Sequence, residues 1–306
     1  MTDRFSCARD SQSLLEPLLG TASTVRRWIL VEQPGPWGRD APVDSNLRRE
    51  VALGLRRRAG DVGARLLLIR RYGRYVPERR TCLVASTTTD GCWVERLSVP
   101  DVADLLDVDF TPLAVHRSVG GAPVDGPVLL VCTNGRHDAC CAEFGRPLAR
   151  VLAGTHPEHV WESTHFGGDR FAGNLVCLPH GVYYGRVAPA SGPGIVEAYQ
   201  RGLLDLDHLR GRSCHPFLVQ AADYYVRRHT GLLAVDDLVL VGREEVEPDT
   251  ARVRFETRQA RRFTALVKAD RQGPPRLLSC SGRPSVAVRY RLLSMSDAAD
   301  GGAETA

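Results

Sequence analysis

Two short motifs in this chain contain the residue types that bind metal ions. The first, CTNGRHDACC, places Cys132 and Cys141 with eight residues between them. The second, STHFGGDRFAGNLVCLPHG, contains His165 and, four positions later, Asp169. Two sulfur donors on one loop, followed by nitrogen and oxygen donors on a later loop, are typical of a site for a soft or borderline metal.

The first motif joins a strand to a helix. Cys132 ends the apolar run GPVLLVC, and Cys141 lies in the first turns of the helix that follows. The positive end of a helix dipole stabilises a thiolate, so we expect the pKa of Cys141 to be lowered. Arg136 and Asp138, between the two cysteines, are expected to shape the loop or to hydrogen-bond the ligands.

The second motif predicts a tight loop after a strand. The pair Gly167–Gly168 allows a sharp turn, which presents His165 and Asp169 on the same side. We expect the positive charge of Arg170 to offset negative charge at the site, and Asn174 to hydrogen-bond the loop backbone.

Strands and helices alternate in two successive series, which indicates an α/β layer structure. The first series has strands at 27–33, 64–71, 81–86 and 92–99 and a helix at 45–60. The second has strands at 126–132, 159–164, 174–179 and 181–187 and helices at 139–154, 194–204 and 217–231. The shared order of strand, loop, helix and paired strands is typical of thioredoxin-like domains, so we predict two tandem thioredoxin-like halves, 20–118 and 119–231.

The rest of the chain has a different sequence pattern. Strand-like runs separated by turn residues predict a small antiparallel β unit at 232–294. The small and acidic residues 295–306 predict a disordered tail. In the first half, Cys82 and Cys92 have no matching histidine loop, so that half is interpreted as a scaffold without a metal centre.

The composition limits the classes of partner. The net charge is only +4 and no arginine-rich tail or aromatic platform is present, so we expect no nucleic-acid binding. No apolar run approaches the ~18 residues of a membrane span, and the first residues lack a secretory core, so we expect a cytoplasmic protein without membrane contact. Nine dispersed cysteines argue against a disulfide framework.

Three segments resemble the sucrase/ferredoxin-like family, a branch of the thioredoxin-like ferredoxins. They are GTASTVRRWILVEQPGPWG, VLLVCTNGRHDACC and WESTHFGGDRFAGNLVCLPHGVYYGRV, within residues 20–230. The resemblance implies a [2Fe-2S] cluster in the second half, with Cys132 and Cys141 on one iron and His165 at the first of two histidine positions. Asp169 occupies the second position, so Asp169, His180 or Cys140 would complete the site, or the cluster would be labile or absent.

The resemblance implies one-electron transfer or redox sensing with a protein partner, a reductase or an electron acceptor. A zinc site with the same four residues stays open as an alternative, as does a module without metal or redox activity. The absence of a C-x-x-C motif argues against thioredoxin chemistry, and Asp169 would repel an anion bound at HFGGDR. No carboxylate pair suggests sugar cleavage, so sucrase activity is not supported and an enzymatic role stays uncertain.

Overall fold

The first α/β series follows a short helix, α1 (Cys7–Ser13), in the computed structural model, which describes residues 5–298. Its elements are β1 (Arg27–Glu32), α2 (Arg49–Asp61), β2 (Arg65–Arg70), β3 (Arg80–Thr88), β4 (Gly91–Val99) and β5 (Ala122–Pro123). Short 3-10 turns occupy Val102–Leu106 and Thr111–Val115. Helix α2 begins four residues later than predicted, because Ser45 lies in a preceding turn, where its hydroxyl donates to the carbonyl of Pro42 at 2.6 Å.

The second series repeats the order of the first. Its elements are β6 (Val128–Cys132), α3 (Ala139–Thr155), β7 (Val160–Ser163), β8 (Leu175–Leu178) and β9 (Val182–Tyr184), followed by α4 (Gly192–Gln200), β10 (Leu209–Arg212) and α5 (Phe217–Thr230). Helix α5 ends as predicted, because Gly231 adopts the left-handed conformation that terminates helices. Strand β10 was not predicted from the sequence.

The two series form one ten-stranded mixed sheet, in the order β10-β9-β8-β6-β7-β2-β1-β3-β4-β5. In each series the first two strands are parallel, and the third strand pairs antiparallel with the first from its other side. The series meet where β2 and β7 pair antiparallel. Since β6 and β7 are parallel and Cys132 lies beside Ser163, the loops that leave these strands start at the same sheet edge.

Four long C-terminal strands form a separate antiparallel sheet, in the order β11 (Val239–Glu247), β12 (Thr250–Glu256), β13 (Arg262–Asp270) and β16 (Arg289–Ala298). A small hairpin, β14 (Arg276–Leu277) and β15 (Pro284–Ser285), lies between the last two. Helix α5 packs on this sheet, since Val219 and Val226 share a buried cluster with Phe255 and Phe263. The predicted tail overlaps β16 at 295–298, and its remainder lies outside the described residues.

None of the helices in residues 5–298 combines the length and the apolar composition that crossing a membrane requires.

Candidate metal site

Cys132 and Cys141 are brought together by the junction of β6 with α3. Asp138 caps the helix, since its side chain accepts a hydrogen bond from the backbone N–H of Cys140 at 2.9 Å. Both thiols are buried, at 1% and 0% exposure. The close approach of helix and strand requires Gly145, because a Cβ at this position would lie 2.0 Å from the carbonyl oxygen of Cys132.

His165 and Asp169 lie on the loop that follows β7. Gly167 and Gly168 have φ values of +110° and +87°, a region that other residues rarely adopt, so the chain can turn back within three residues. This turn brings His165 Nδ1 to 3.0 Å from Asp169 Oδ1. The side chains are 18% and 10% exposed, so the pair lies just beneath the surface.

The ligand atoms of Cys132, Cys141 and His165 converge to within 4.8 Å of one another, and Asp169 lies beside two of them. His165 Nδ1 lies 3.8 Å from Cys132 Sγ and 3.7 Å from Cys141 Sγ. Asp169 Oδ1 lies 3.3 Å from Cys141 Sγ. The other two candidates lie elsewhere, because His180 Nδ1 hydrogen-bonds the hydroxyl of Tyr199 at 2.7 Å and Cys140 faces other cysteines. Of the three candidates for the fourth position, Asp169 is the one that lies beside Cys141 and His165.

The donor spacing matches the reach of a single tetrahedral ion. A thiolate and an imidazole nitrogen on one zinc-like ion, at about 2.3 and 2.0–2.1 Å, lie about 3.5 Å apart. The distances from His165 Nδ1 to the two sulfurs, 3.8 and 3.7 Å, are close to this value. Two thiolates, an imidazole and a carboxylate also form a chemically suitable set for iron.

His137 belongs to the same group and was missed by the sequence reasoning. Its ring stacks on that of His165, with centroids 3.9 Å apart and planes 13° apart. His137 Nε2 lies 3.9 Å from Asp169 Oδ2, and its side chain is 35% exposed. His137 lies between Cys132 and Cys141 in the first motif. Its position between two candidate ligands could have indicated that it belongs to the site.

The thiols and the imidazole perturb one another's protonation. The hydrogen bond from Cys141 lowers the pKa of Cys132 to about 5, and His165 adds to this effect. The thiolate of Cys132, together with burial, raises the pKa of Cys141, so the expected lowering by the helix dipole is wrong. Burial alone would lower the pKa of His165, but hydrogen bonding to Cys132 and the charges of Cys132 and Asp169 outweigh it and raise the pKa.

A buried arginine on β10 fixes the histidine loop. Arg210 is 1% exposed and donates to the carbonyl of Gly167 at 2.9 Å and to Asn174 Oδ1 at 2.8 Å. Asn174 in turn donates to the carbonyl of Gly168 at 2.8 Å, as predicted. Arg170, expected to offset charge at the site, instead pairs with the buried Glu16 at 2.8 Å. Arg210 is therefore a cation that supports this loop, and Arg65 also donates to the carbonyl of Phe166, at 2.9 Å.

Comparison with known proteins finds a family model that matches this chain. The sucrase/ferredoxin-like family model matches residues 18–211. Altered inheritance of mitochondria protein 32 of Meyerozyma guilliermondii is 32% identical over 96 residues, 28% of this chain and 34% of that protein, so the match spans about a third of the relative.

Among solved structures, a thioredoxin-like [2Fe-2S] ferredoxin from Aquifex aeolicus is 19% identical with a TM-score of 0.27, over 30% of this chain and 97% of that one. A cysteine-to-serine variant of it is 20% identical with a TM-score of 0.25, over 27% and 96% of the two chains. Because the family model covers more than half of its length, this chain belongs to the sucrase/ferredoxin-like family.

Proposed function

We propose that this protein is a [2Fe-2S] ferredoxin that transfers single electrons or senses redox state. Cys132, Cys141, His165 and Asp169 would hold the cluster, which supplies one-electron chemistry when bound. The observation that carries the proposal is the convergence of Cys132, Cys141 and His165 from two loops, with Asp169 beside Cys141 and His165. The family membership supports it.

The four side chains would set the charge of the site. Replacing a thiolate by the neutral imidazole of His165 removes negative charge, which favours the reduced state and raises the reduction potential. The carboxylate of Asp169 returns one negative charge and lowers the potential again. Since Nδ1 of His165 faces the sulfurs, Nε2 is the atom that would hold a proton coupled to the electron.

Access to the site runs through the two stacked histidines. The cysteines are buried, whereas the side chains of His165 and His137 are 18% and 35% exposed. We infer that a reductase or an electron acceptor docks on the surface around His137, because this is where the partly exposed edge of the site lies. The tight packing of Cys132 and Cys141 excludes water from the opposite side.

We infer further that the ten-stranded sheet is a pair of thioredoxin-like halves, 20–118 and 119–231, followed by the β unit 232–294. The support is the repeated strand arrangement, with a parallel pair and an antiparallel third strand in each series. In this interpretation the first half is a scaffold, since Cys82 is a buried residue of β3 with 0% exposure.

A mononuclear zinc site is the second candidate, and one observation favours it. A two-iron cluster places its two ligand pairs on separate irons, which requires His165 and Asp169 to lie farther from the sulfurs than 3.3–3.8 Å. A single zinc ion fits the observed spacing of Cys132, Cys141 and His165, and Asp169 lies beside Cys141. Zinc would make the site structural or hydrolytic rather than redox-active.

Anaerobic purification separates the two candidates. We expect a reddish-brown protein that contains iron and acid-labile sulfide, and we expect the Cys132→Ser variant to lose both. The Cys92→Ser variant is the matched control, because Cys92 is a half-buried cysteine that lies outside the site. A protein that stays colourless after reconstitution with iron and sulfide, and that loses zinc on Cys132→Ser, would overturn the ferredoxin proposal in favour of zinc.

A further inference from the structure

A second cluster of cysteines lies beside the candidate metal site. Cys7 is in the first turn of α1, Cys140 is in the first turn of α3, and Cys280 is in the turn between β14 and β15. The chain separates Cys7 from Cys140 by 133 positions and Cys140 from Cys280 by 140. No local sequence spacing connects these residues, so the fold alone brings them together.

The three sulfurs form a nearly equilateral triangle. Cys7 Sγ lies 3.7 Å from Cys140 Sγ, Cys140 Sγ lies 3.4 Å from Cys280 Sγ, and Cys280 Sγ lies 3.6 Å from Cys7 Sγ. A disulfide bond would require a separation of about 2.05 Å. Two thiolates on one tetrahedral ion, each about 2.3 Å from it, lie about 3.8 Å apart. The triangle therefore has the size of one face of a mononuclear tetrahedral site.

Asp138 supplies a fourth donor at the same point. Its carboxylate oxygens lie 3.8 and 3.7 Å from Cys7 Sγ. The backbone N–H groups of Cys140 and Cys280 donate to this carboxylate at 2.9 and 2.6 Å, which fixes its orientation. Each carboxylate oxygen has two lone pairs, so both keep one for a metal. All four donor atoms lie within 4.8 Å of one another.

We propose that Cys7, Asp138, Cys140 and Cys280 bind one Zn²⁺ ion, at a site separate from the centre at Cys132. Three thiolates and a carboxylate are a tetrahedral donor set of the kind that zinc occupies in structural sites. Two further contacts support the sulfurs, from the N–H of Cys7 to Cys280 Sγ at 3.5 Å and between Ser6 Oγ and Cys140 Sγ at 3.3 Å.

The adjacent residues Cys140 and Cys141 face different sites. Cys141 Sγ contacts His165 and Asp169, whereas Cys140 Sγ contacts the other two cysteines of the second cluster. A zinc ion at the second site would tie α1 and the C-terminal hairpin to the first turn of α3. The ion would close two loops of more than 130 residues, one from Cys7 to Cys140 and one from Cys140 to Cys280. Because zinc would bind the folded state, it would stabilise the packing of α1 and of the hairpin against the rest of the chain.

The test removes both thiolates of the first site, so that the second is the one remaining site with sulfur ligands among the described residues. The Cys132→Ser/Cys141→Ser double variant is loaded with Zn²⁺, passed through a weak chelator and analysed for zinc per chain. We expect one zinc ion to remain, and we expect its loss when Cys280→Ser is added. Cys280 is part-exposed in a turn, so serine is expected to be tolerated. Adding Cys92→Ser instead should leave the zinc in place.

A second measurement does not depend on how the Cys280→Ser variant folds. One equivalent of Co²⁺ added to the Cys132→Ser/Cys141→Ser double variant should give intense thiolate-to-cobalt absorption, which Zn²⁺ then abolishes. Zinc content that is unchanged by Cys280→Ser, an absence of cobalt absorption, or mass spectrometry that finds a disulfide between two of the three cysteines in freshly purified protein would overturn the proposal.

Discussion

Replacing Gly145 by alanine tests whether the packing of α3 on β6 positions the candidate site. The new Cβ would lie 2.0 Å from the carbonyl oxygen of Cys132 and 3.1 Å from its carbonyl carbon. Restoring ordinary contact requires the helix or the strand to move by about 1 Å. Overpacking of this kind costs about 1–3 kcal/mol and exceeds the gain of up to ~1 kcal/mol from the better helix propensity of alanine.

Gly154 is the matched control in the same helix. A Cβ there meets nothing within 4 Å, so Gly154→Ala should raise the free energy of unfolding by about 0.5–1 kcal/mol. Urea denaturation measures both effects. Because Cys141 moves with the helix, Gly145→Ala should also reduce the metal content, whereas Gly154→Ala should preserve it. Equal stability and equal metal content in the two variants would refute this account of the site.

The remaining predictions concern the arginine that supports the histidine loop, the charge of the candidate ligands and the pH dependence of the stability. Arg210→Met should lower the free energy of unfolding by about 3 kcal/mol or more, because it leaves buried acceptors at Gly167 and Asn174 unpaired, whereas the exposed Arg57→Met should change it little in the same urea titration. Asp169→His should raise the reduction potential in a redox titration, because a neutral ligand replaces a carboxylate; an unchanged potential would place Asp169 outside the ligand set. Burial lowers the pKa of His215 from 6.5 to about 4 in the folded protein. Between these pH values the unfolded chain binds a proton at this histidine and the folded chain does not. The stability that is present above pH 6.5 is therefore lost as the pH falls. Between pH 7.5 and 5 the wild-type protein should therefore lose about 2 kcal/mol more than His215→Gln, and equal losses would show that His215 is not buried in the neutral form.

The sequence predicted most strands of the main sheet because their apolar runs are short and bounded by turn residues. Strand β10 was not predicted, because its sequence, LRGR, has only one apolar residue. Its arginines are nevertheless buried, since Arg210 satisfies its charge with loop carbonyls and Arg212 donates to the carbonyl of Val235. Such burial depends on partners that are distant in the chain, and hydrophobic periodicity does not encode it.

Part of the candidate metal site was predictable from the positions of its two motifs. Each motif follows a strand end, so the parallel pairing of β6 and β7 brings the two loops together. The prediction that Arg170 offsets charge at the site was wrong. Its partner is Glu16, which lies 154 positions away, so no local pattern in the sequence indicates the pair. Cys7 and Cys280 gave no signal either, since each stands alone in the sequence and only the tertiary structure places it beside Cys140.

The most direct test of the central claim is X-ray absorption at the iron edge of the anaerobically purified protein. If Cys132, Cys141, His165 and Asp169 hold a [2Fe-2S] cluster, the spectrum will contain sulfur neighbours, a smaller shell of nitrogen and oxygen neighbours, and an iron–iron distance. An iron environment of sulfur alone, or iron without a second iron nearby, would contradict the account.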